Sequence, residues 1–217
     1  YCMNDDIRKK VELFFSTYPL VKYPKDQILI FPGESVEKVY FVASGRICQY
    51  DVSYRGDEVV VNTFKPFAFF PMAQAINGEN SSFFYKTEAA TELLVAPAND
   101  VVAFIKANPD VMYDLLSRLY RGVESVLNRT VHLMSGTAKS RLLFELIIEC
   151  RRFGKVVNGR QYIEISETSI AARSGLSRET VSREIKRLKD KGLVEVKSHR
   201  IYLNDLVELE NQAGEHI

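Results

Sequence analysis

The segment from Ser166 to Leu188 constrains the fold of this chain more than any other, because it carries the signals of two short helices joined by a turn. Ser166 and Ser177 are good helix N-caps, and Gly175 between them tolerates the positive φ of a tight turn. From Arg178 onward, apolar residues recur at helical spacing, which predicts a helix with one buried face. The segment therefore predicts a helix-turn-helix.

The exposed face of the second helix carries side chains that suit the edges of DNA bases. The spacing i, i+1, i+4, i+5 places four of them over the first turn and a half of one surface: Arg178, Glu179, Ser182 and Arg183. An arginine fork matches guanine O6 and N7, glutamate accepts from cytosine N4, and serine can serve either role. The alternative is a helical hairpin whose charges are merely solvated. We expect contact with DNA bases, with this helix in the major groove.

The sequence after this helix favours the DNA-binding interpretation. Gly192 ends the helix, and residues 193–196 and 200–203 alternate as two strands around Lys197-Ser198-His199. A strand pair directly after a helix-turn-helix is a wing. The C-terminal part is therefore predicted to be a winged helix-turn-helix.

The net charge of +1 conceals a difference between the two halves. Residues 1–135 contain 14 Lys and Arg against 16 Asp and Glu, whereas residues 136–203 contain 15 against 8. The basic excess therefore coincides with the predicted helix-turn-helix. We expect phosphate binding by this half, with Lys139 among the contacts and an affinity that falls steeply with salt.

Between residues 23 and 97 the sequence has the pattern of an antiparallel β structure. Short alternating runs are separated by turn signals, and the runs include residues 27–31, 38–42, 46–50 and 58–62. This spacing predicts a barrel or jelly-roll sandwich of about eight strands. A helix is predicted before it, over residues 6–15. Together with the C-terminal helices, these elements give an α+β fold.

A long helix is predicted from Asn108-Pro109-Asp110 to about Ser135. Its apolar residues recur at three- and four-residue steps, which is typical of a dimer coiled coil: Met112, Leu115, Leu116, Leu119, Val123, Val126, Leu127, Thr130 and Leu133. The alternative is that this stripe packs on the β domain. Gly136-Thr137-Ala138 breaks the pattern before a further helix over residues 139–152, and is the candidate hinge. The predicted domains are residues 1–107, 108–135 and 136–217.

Composition and cysteine spacing exclude several classes of protein. No apolar run is long enough to span a bilayer, and no charged segment precedes an apolar one as in a secretory signal. We therefore expect a soluble cytoplasmic protein without a membrane partner. Cys2, Cys48 and Cys150 are odd in number and widely spaced, which argues against a disulfide framework and a metal site. No catalytic arrangement of nucleophile and base is found, so an enzyme is not expected.

The order of β-roll, long helix, hinge and winged helix resembles the catabolite activator/FNR (Crp/Fnr) family of bacterial transcription regulators. The resemblance covers nearly the whole chain and is sharpest at residues 176–183, with further family-like residues at 23–24, 33–34, 39–42, 45, 56–58 and 108–110. It implies a cyclic-nucleotide-binding-like β-roll (jelly roll), a long dimerisation helix and a C-terminal winged helix-turn-helix. It also implies a homodimer that binds an inverted-repeat operator in double-stranded DNA and acts through RNA polymerase.

The resemblance also implies roles for individual residues. Arg178, Glu179 and Arg183 would contact bases, while Ser177 and Thr180 would contact phosphates. The combination of Arg178 with the Glu179, Ser182, Arg183 set implies a TGA core in each half-site, with Ser182 favouring T at the second position. The half-site centres would lie about 34–36 Å apart.

The departures from the family concern the ligand. Relatives that bind cyclic AMP hold its ribose and phosphate with a Gly-Glu pair and an Arg-Ser pair. Counting back without gaps from residues 108–110 places Phe70-Pro71 and Ser81-Ser82 at these positions, so the carboxylate and the guanidinium are missing. A buried phosphate without an arginine costs several kcal/mol. Val126-Leu127 replaces the polar pair that meets adenine, so dependence on cyclic AMP is not expected.

The identity of any small-molecule effector stays open. Aromatic side chains crowd the segment where the family binds its effector, and the candidate pocket residues are Phe69, Phe70, Met72, Ser81, Ser82, Phe84, Val126 and Leu127. The alternative is that the rings only fill the core. Cys2, Met3, Cys48 and His132 are possible haem ligands, although no cofactor is expected. A haem- or thiol-based redox or gas sensor, or a ligand-binding protein with a weak DNA-binding module, is therefore the alternative function.

Overall fold

The computed structural model describes residues 4–54, 56–197 and 200–213 as an α+β chain. The chain forms two compact units, residues 1–121 and 122–217, which meet in sequence inside the longest helix. In the part of the chain that is described, no helix is both long enough and apolar enough to cross a membrane.

The N-terminal unit is a β-roll flanked by helices. Its elements are α1 (Asp5–Phe15), β1 (Leu20–Tyr23), β2 (Ile28–Ile30), β3 (Lys38–Ser44), β4 (Ile47–Val52), β5 (Glu58–Phe64), β6 (Phe69–Phe70), α2 (Met72–Asn77), β7 (Phe84–Thr87), β8 (Thr91–Pro97), α3 (Ala98–Ala107) and the first part of α4 (Pro109–Ser135). The strands form two antiparallel four-stranded sheets, in the orders β1-β8-β3-β6 and β2-β7-β4-β5. The predicted eight-stranded roll is confirmed.

Strand β3 is buried on both faces, and its alternation organises two apolar clusters. Val39 and Phe41 point to the outer cluster, which α1, α3 and the start of α4 cover. Tyr40 and Val42 point to the inner cluster, which also contains Ile47 of β4 and Leu93 of β8. Because side chains alternate along a strand, one short segment fills both the interior of the roll and the layer beneath the helices.

The C-terminal unit contains the predicted winged helix-turn-helix. After the remainder of α4 it comprises α5 (Ala138–Phe153), β9 (Lys155–Val157), β10 (Arg160–Ile163), α6 (Glu167–Ser174), α7 (Arg178–Asp190), β11 (Val194–Lys197), β12 (Arg200–Leu203) and α8 (Leu206–Ala213). The strands form one antiparallel sheet in the order β11-β12-β10-β9. The predicted turn at Ser198-His199 lies outside the described residues. Leu142, Leu146 and Ile147 of α5 are fully buried at the centre of this unit.

Four features were not predicted from the sequence: α2, α3, the β9-β10 hairpin and α8. Helices α2 and α8 have only six and eight residues, too few for a clear helical period. Helix α3 does carry a signal, because Val101 and Ile105 are buried one helical turn apart. The hairpin carries one as well, since Asn158-Gly159 is a common two-residue hairpin turn.

Candidate nucleic-acid interface

Local capping positions the two helices of the helix-turn-helix. The hydroxyl of Ser166 accepts a hydrogen bond from the backbone N–H of Ser169 (3.0 Å) and begins α6. Gly175 ends α6 with a φ of +60°. The hydroxyl of Ser177 then accepts from the N–H of Thr180 (3.2 Å) and begins α7. All three residues have the roles that the sequence predicts for them.

Helix α7 is anchored on one side and open on the other. Val181, Ile185 and Leu188 are buried in the core of the unit. The opposite face is exposed and, with Glu167 of α6, lines an open groove: Arg178, Glu179, Ser182, Arg183 and Lys186. The helix is therefore held rigidly while its polar side chains remain available to a ligand.

Hydrogen bonds at the start of α7 favour the ionised form of the Glu179 carboxyl. Its own backbone N–H and then the hydroxyl of Ser177 lower the pKa of the Glu179 carboxyl, with a further contribution from Arg178. An ionised carboxylate accepts hydrogen bonds and does not donate them. The groove therefore presents arginine donors beside two carboxylates, Glu179 and Glu167.

The predicted phosphate-binding residues lie in different surroundings. Ser177 is exposed and Thr180 half-buried, and their hydroxyl oxygens are 3.1 Å apart at the start of α7. Lys139 is half-buried at the start of α5, where its ammonium donates to Oε1 of Gln212 (2.8 Å). It lines a second groove, together with Thr137 and Arg187. An ammonium has three donors, so Lys139 can keep this amide partner and still donate to a phosphate.

The structure also reveals residues that sequence reasoning missed. The guanidinium of Arg141 on α5 donates to the carbonyl oxygens of Ser174 (2.5 and 2.9 Å) and Gly175 (2.8 Å), at the turn between α6 and α7. Arg129 on α4 donates to the carbonyl of Arg173 (2.5 Å). These contacts join residues 33 to 44 positions apart, so no local pattern predicts them.

The candidate effector residues of the roll are distributed over both faces of its sheets. Phe70 is fully buried in the inner cluster, where its ring stacks on those of Tyr40 (5.4 Å between centroids), Phe64 (5.0 Å) and Tyr85 (5.3 Å). Phe69 points the other way, into the outer cluster, where the guanidinium of Arg118 lies 5.3 Å from its ring centroid. The two neighbouring rings therefore do not line a common space.

The remaining candidate effector residues are also separated. Met72 belongs to the outer cluster, and the half-buried ring of Phe84 stacks on Tyr50 at 5.0 Å. The hydroxyl of the buried Ser81 donates to the carbonyl of Phe83 (2.8 Å), while Ser82 is exposed. Val126 and Leu127 are exposed on the part of α4 that belongs to the C-terminal unit.

The candidate haem and redox residues are mostly packed against other side chains. Cys48 and Cys150 are buried, and burial is the main cause that raises the pKa of the Cys150 thiol. The ring of His132 packs on Phe144 with 4.3 Å between centroids. Cys2 and Met3 lie outside the described residues. Within residues 4–54, 56–197 and 200–213, no three His, Cys, Asp or Glu side chains are grouped so that they could hold a metal ion.

Helix α4 carries an exposed apolar stripe. Large apolar side chains on it stand in solvent in the single chain, among them Met112, Leu116, Leu119, Val123, Val126 and Leu127, with Leu119 60% exposed. Exposed apolar area of this extent on one helix is typical of an interaction surface rather than of a monomer.

Comparisons with known proteins find similarity along almost the whole chain. A family model of the cyclic nucleotide-binding domain matches residues 20–108, and one of the Crp-like helix-turn-helix domain matches residues 140–212. The global nitrogen regulator of Nostoc sp. is 30% identical over 203 residues, which cover 89% of each chain. The cAMP-activated global transcriptional regulator CRP of Haemophilus influenzae is 26% identical over 187 residues, which cover 85% of this chain and 83% of CRP.

Solved structures show the same fold. The structure of FixK2 from Bradyrhizobium japonicum is similar with a TM-score of 0.78 and 20% identity, covering 92% of this chain and 99% of that one. A transcriptional regulator of the CRP/FNR family from Thermus thermophilus is similar with a TM-score of 0.76 and 21% identity, covering 92% of this chain and 100% of that one.

Proposed function

Because the chain belongs to the Crp/Fnr family of transcription regulators, we propose that it is a cytoplasmic homodimer that binds an inverted repeat in double-stranded DNA and acts on RNA polymerase. The observation that carries this proposal is the exposed face of α7. It combines two arginines, a carboxylate and a hydroxyl on a helix whose other face is buried. A helix presented in this way fits the major groove, where each base pair has a distinct pattern of donors and acceptors.

Arg178, Glu179 and Arg183 contact base edges in this proposal, and Ser182 contributes to the choice at the second position of a TGA core. Ser177, Thr180 and Lys139 contact phosphates and fix the register without reading sequence. The exposure of Arg178, Glu179 and Arg183 supports their role, because none of them has to leave the core to reach DNA.

Dimerisation through α4 brings two recognition helices together in one DNA-binding protein. Two copies of the exposed stripe around Leu119, Val123 and Val126 bury each other in a helix pair. Full burial of one such side chain contributes about 1.5–3 kcal/mol. Because these side chains are only about half exposed, the whole stripe on both copies is needed to offset the roughly 4–15 kcal/mol that association costs. Two-fold symmetry then matches the two half-sites of an inverted repeat.

The effector of this regulator is not cyclic AMP in our proposal. The positions of the family's Gly-Glu pair are taken by Phe70, whose ring is fully buried, and Pro71, which has no carboxylate. At the position of the family's arginine, the hydroxyl of Ser81 is engaged with the carbonyl of Phe83. A phosphate here would lack the guanidinium that the family's arginine supplies, which is unfavourable in a buried site. The effector in this proposal is a small molecule of another class, and Phe69 and Phe70 do not line one pocket for it, because their rings lie in different clusters.

Selection from a random duplex library tests the proposal with the full chain. We expect enrichment of inverted repeats with a TGA core, without added cyclic AMP, and a dimer in sedimentation equilibrium. Arg183→Ala should cost about 1–3 kcal/mol on the selected site and relax the preference at one base pair. Arg151→Ala is the matched control, because Arg151 lies on α5 of the same unit and its guanidinium pairs with the carboxylate of Glu210 on α8 (2.9 Å). Enrichment of direct repeats, or of no sequence at all, would contradict the proposal.

A further inference from the structure

The turn between α6 and α7 is held by two arginines that lie outside the helix-turn-helix. Arg141 donates to the carbonyls of Ser174 and Gly175, and Arg129 donates to that of Arg173. These three carbonyls end α6, where a helix leaves acceptors without intrahelical partners and carries partial negative charge. Guanidinium groups satisfy both, so the end of this eight-residue helix is fixed from α4 and α5.

Space around the turn is matched to this arrangement. A Cβ at Gly175 would lie 2.7 Å from a terminal nitrogen of Arg141, closer than real side-chain contacts allow. Gly175 therefore serves two purposes, since it adopts a φ of +60° and leaves room for the guanidinium.

Arg129 also belongs to a buried network of charges that spans three helices. Its Nε lies 3.0 Å from Oε1 of Glu145 on α5. A terminal nitrogen of Arg173 on α6 lies 4.0 Å from Oε2 of Glu149. Glu145, Glu149 and Arg173 are 7%, 3% and 7% exposed, so these charges are almost entirely removed from water.

Such a network is costly, which makes its geometry informative. Burial raises the pKa of the Glu145 carboxyl in spite of the two arginines beside it. Apolar side chains of similar size often give equal or greater stability than buried ion pairs, but their contacts do not fix the relative orientation of the helices. The hydrogen bond from the guanidinium of Arg129 to the carbonyl of Arg173 is directional, so it adds a defined orientation at the end of α6.

We propose that Arg129 is a positioning residue for DNA recognition. By pairing with Glu145 while it holds the carbonyl of Arg173, it ties the end of α6 to the last turns of α4. Because α7 follows α6 after a turn of only three residues, the orientation of the recognition helix follows that of Arg129. Rearrangement of the α4 end is thereby passed to α7. This inference rests on the proposed function, since it assigns Arg129 to the same DNA-reading site.

The double variant Arg129→Met/Glu145→Gln tests the proposal without leaving a buried carboxylate unpaired. Methionine keeps much of the apolar volume but cannot donate to Arg173, and glutamine keeps the shape of the acid. The matched control is Arg151→Met/Glu210→Gln, which removes an exposed ion pair and the same two charges from the same unit. Equal net charge makes the effects on phosphate attraction comparable.

Two quantities are measured on the full-length variants: the ratio of cognate to random-DNA affinity, and the hydrogen exchange of amides in residues 173–178. For the Arg129 variant we expect the ratio to fall about tenfold and the exchange to accelerate, because one charge-assisted hydrogen bond no longer restricts the turn. The control should match the wild type in both. Arg129→Lys keeps one donor and the pairing with Glu145, so its exchange should be intermediate.

An unchanged ratio or unchanged exchange in the Arg129 variant would overturn the proposal. If the double variant does not fold, Arg129→Lys is compared with Arg151→Lys by the same two measurements. Equal affinity ratios and equal exchange in these two variants would overturn the proposal. If the wild type itself shows no sequence preference, the proposed function fails. Exchange at residues 173–178 then still decides whether Arg129 holds the turn.

Discussion

Replacement of Phe70 by alanine tests whether the interior of the roll is a close-packed core. The ring of Phe70 is fully buried, and three aromatic rings lie within 5.4 Å of it, centroid to centroid. Its removal leaves a cavity of roughly 100 Å³, which at ~24 cal/mol per Å³ costs ~2.4 kcal/mol in addition to ~2 kcal/mol of lost transfer free energy. The expected loss of unfolding free energy is therefore about 4 kcal/mol.

Urea unfolding, with hydrogen exchange of the β3 and β8 amides as the readout, measures this loss for the roll alone. Phe31→Ala is the matched control, because the ring of Phe31 is 47% exposed and meets the ring of Phe84 edge to face. The control should lose about 1 kcal/mol or less. DNA affinity, measured where the Phe70 variant is still folded, should be unchanged if the rings are only a core. A loss below about 1 kcal/mol, or a shifted DNA affinity, would refute the reasoning.

Three further outcomes are expected. Burial raises the pKa of Tyr85 to about 12 from 10.0, so between pH 10 and 12 the native state keeps a proton that the unfolded chain loses. In this range the free energy of unfolding should fall by up to ~1.4 kcal/mol per pH unit more in the wild type than in Tyr85→Phe. Equal pH dependence of the two proteins in urea titrations would contradict this. Gly175→Ala should cost up to about 1–3 kcal/mol more than Gly159→Ala, because both have positive φ but only at Gly175 would the new methyl group displace the guanidinium of Arg141 from its carbonyl partners; equal urea midpoints would show that the arginine moves aside without loss. Lys139→Ala should lower the slope of log affinity against log salt by about one, and an unchanged slope would remove Lys139 from the interface.

The helix-turn-helix could be predicted in detail because its signals are local. The serine caps, the positive φ of Gly175 and the apolar spacing of α7 each concern residues within a few positions of one another. The exposed face of α7 follows from the same period, which is why Arg178, Glu179, Ser182 and Arg183 all lie on it. Eight strands could be predicted for the same reason, since alternation and turn residues recur along the roll.

The parts that sequence did not predict depend on distant contacts. Arg129 and Arg141 are ordinary charged helix residues in the sequence, and their role follows only from the packing of α4, α5 and α6. Phe69 and Phe70 are neighbours in sequence and are predicted to share one candidate pocket, whereas their positions in a strand place the two rings on opposite faces. The period of two would have separated them, but a two-residue strand is too short to be recognised without the structure.

The order of strands in the roll has a consequence for how the chain acquires this structure during synthesis. The last two strands in sequence, β7 and β8, are inner strands: β8 lies between β1 and β3, and β7 between β2 and β4. Leu20 of β1 pairs with Leu94 of β8, and Ile28 of β2 pairs with Lys86 of β7. Strands β1 and β2 therefore cannot pair until β8 and β7 have been synthesised. Loops of this length slow folding, and unpaired edges invite association with other chains. A ribosome that has released only the first six strands exposes two incomplete sheets, and both are complete only after the chain has emerged as far as Pro97.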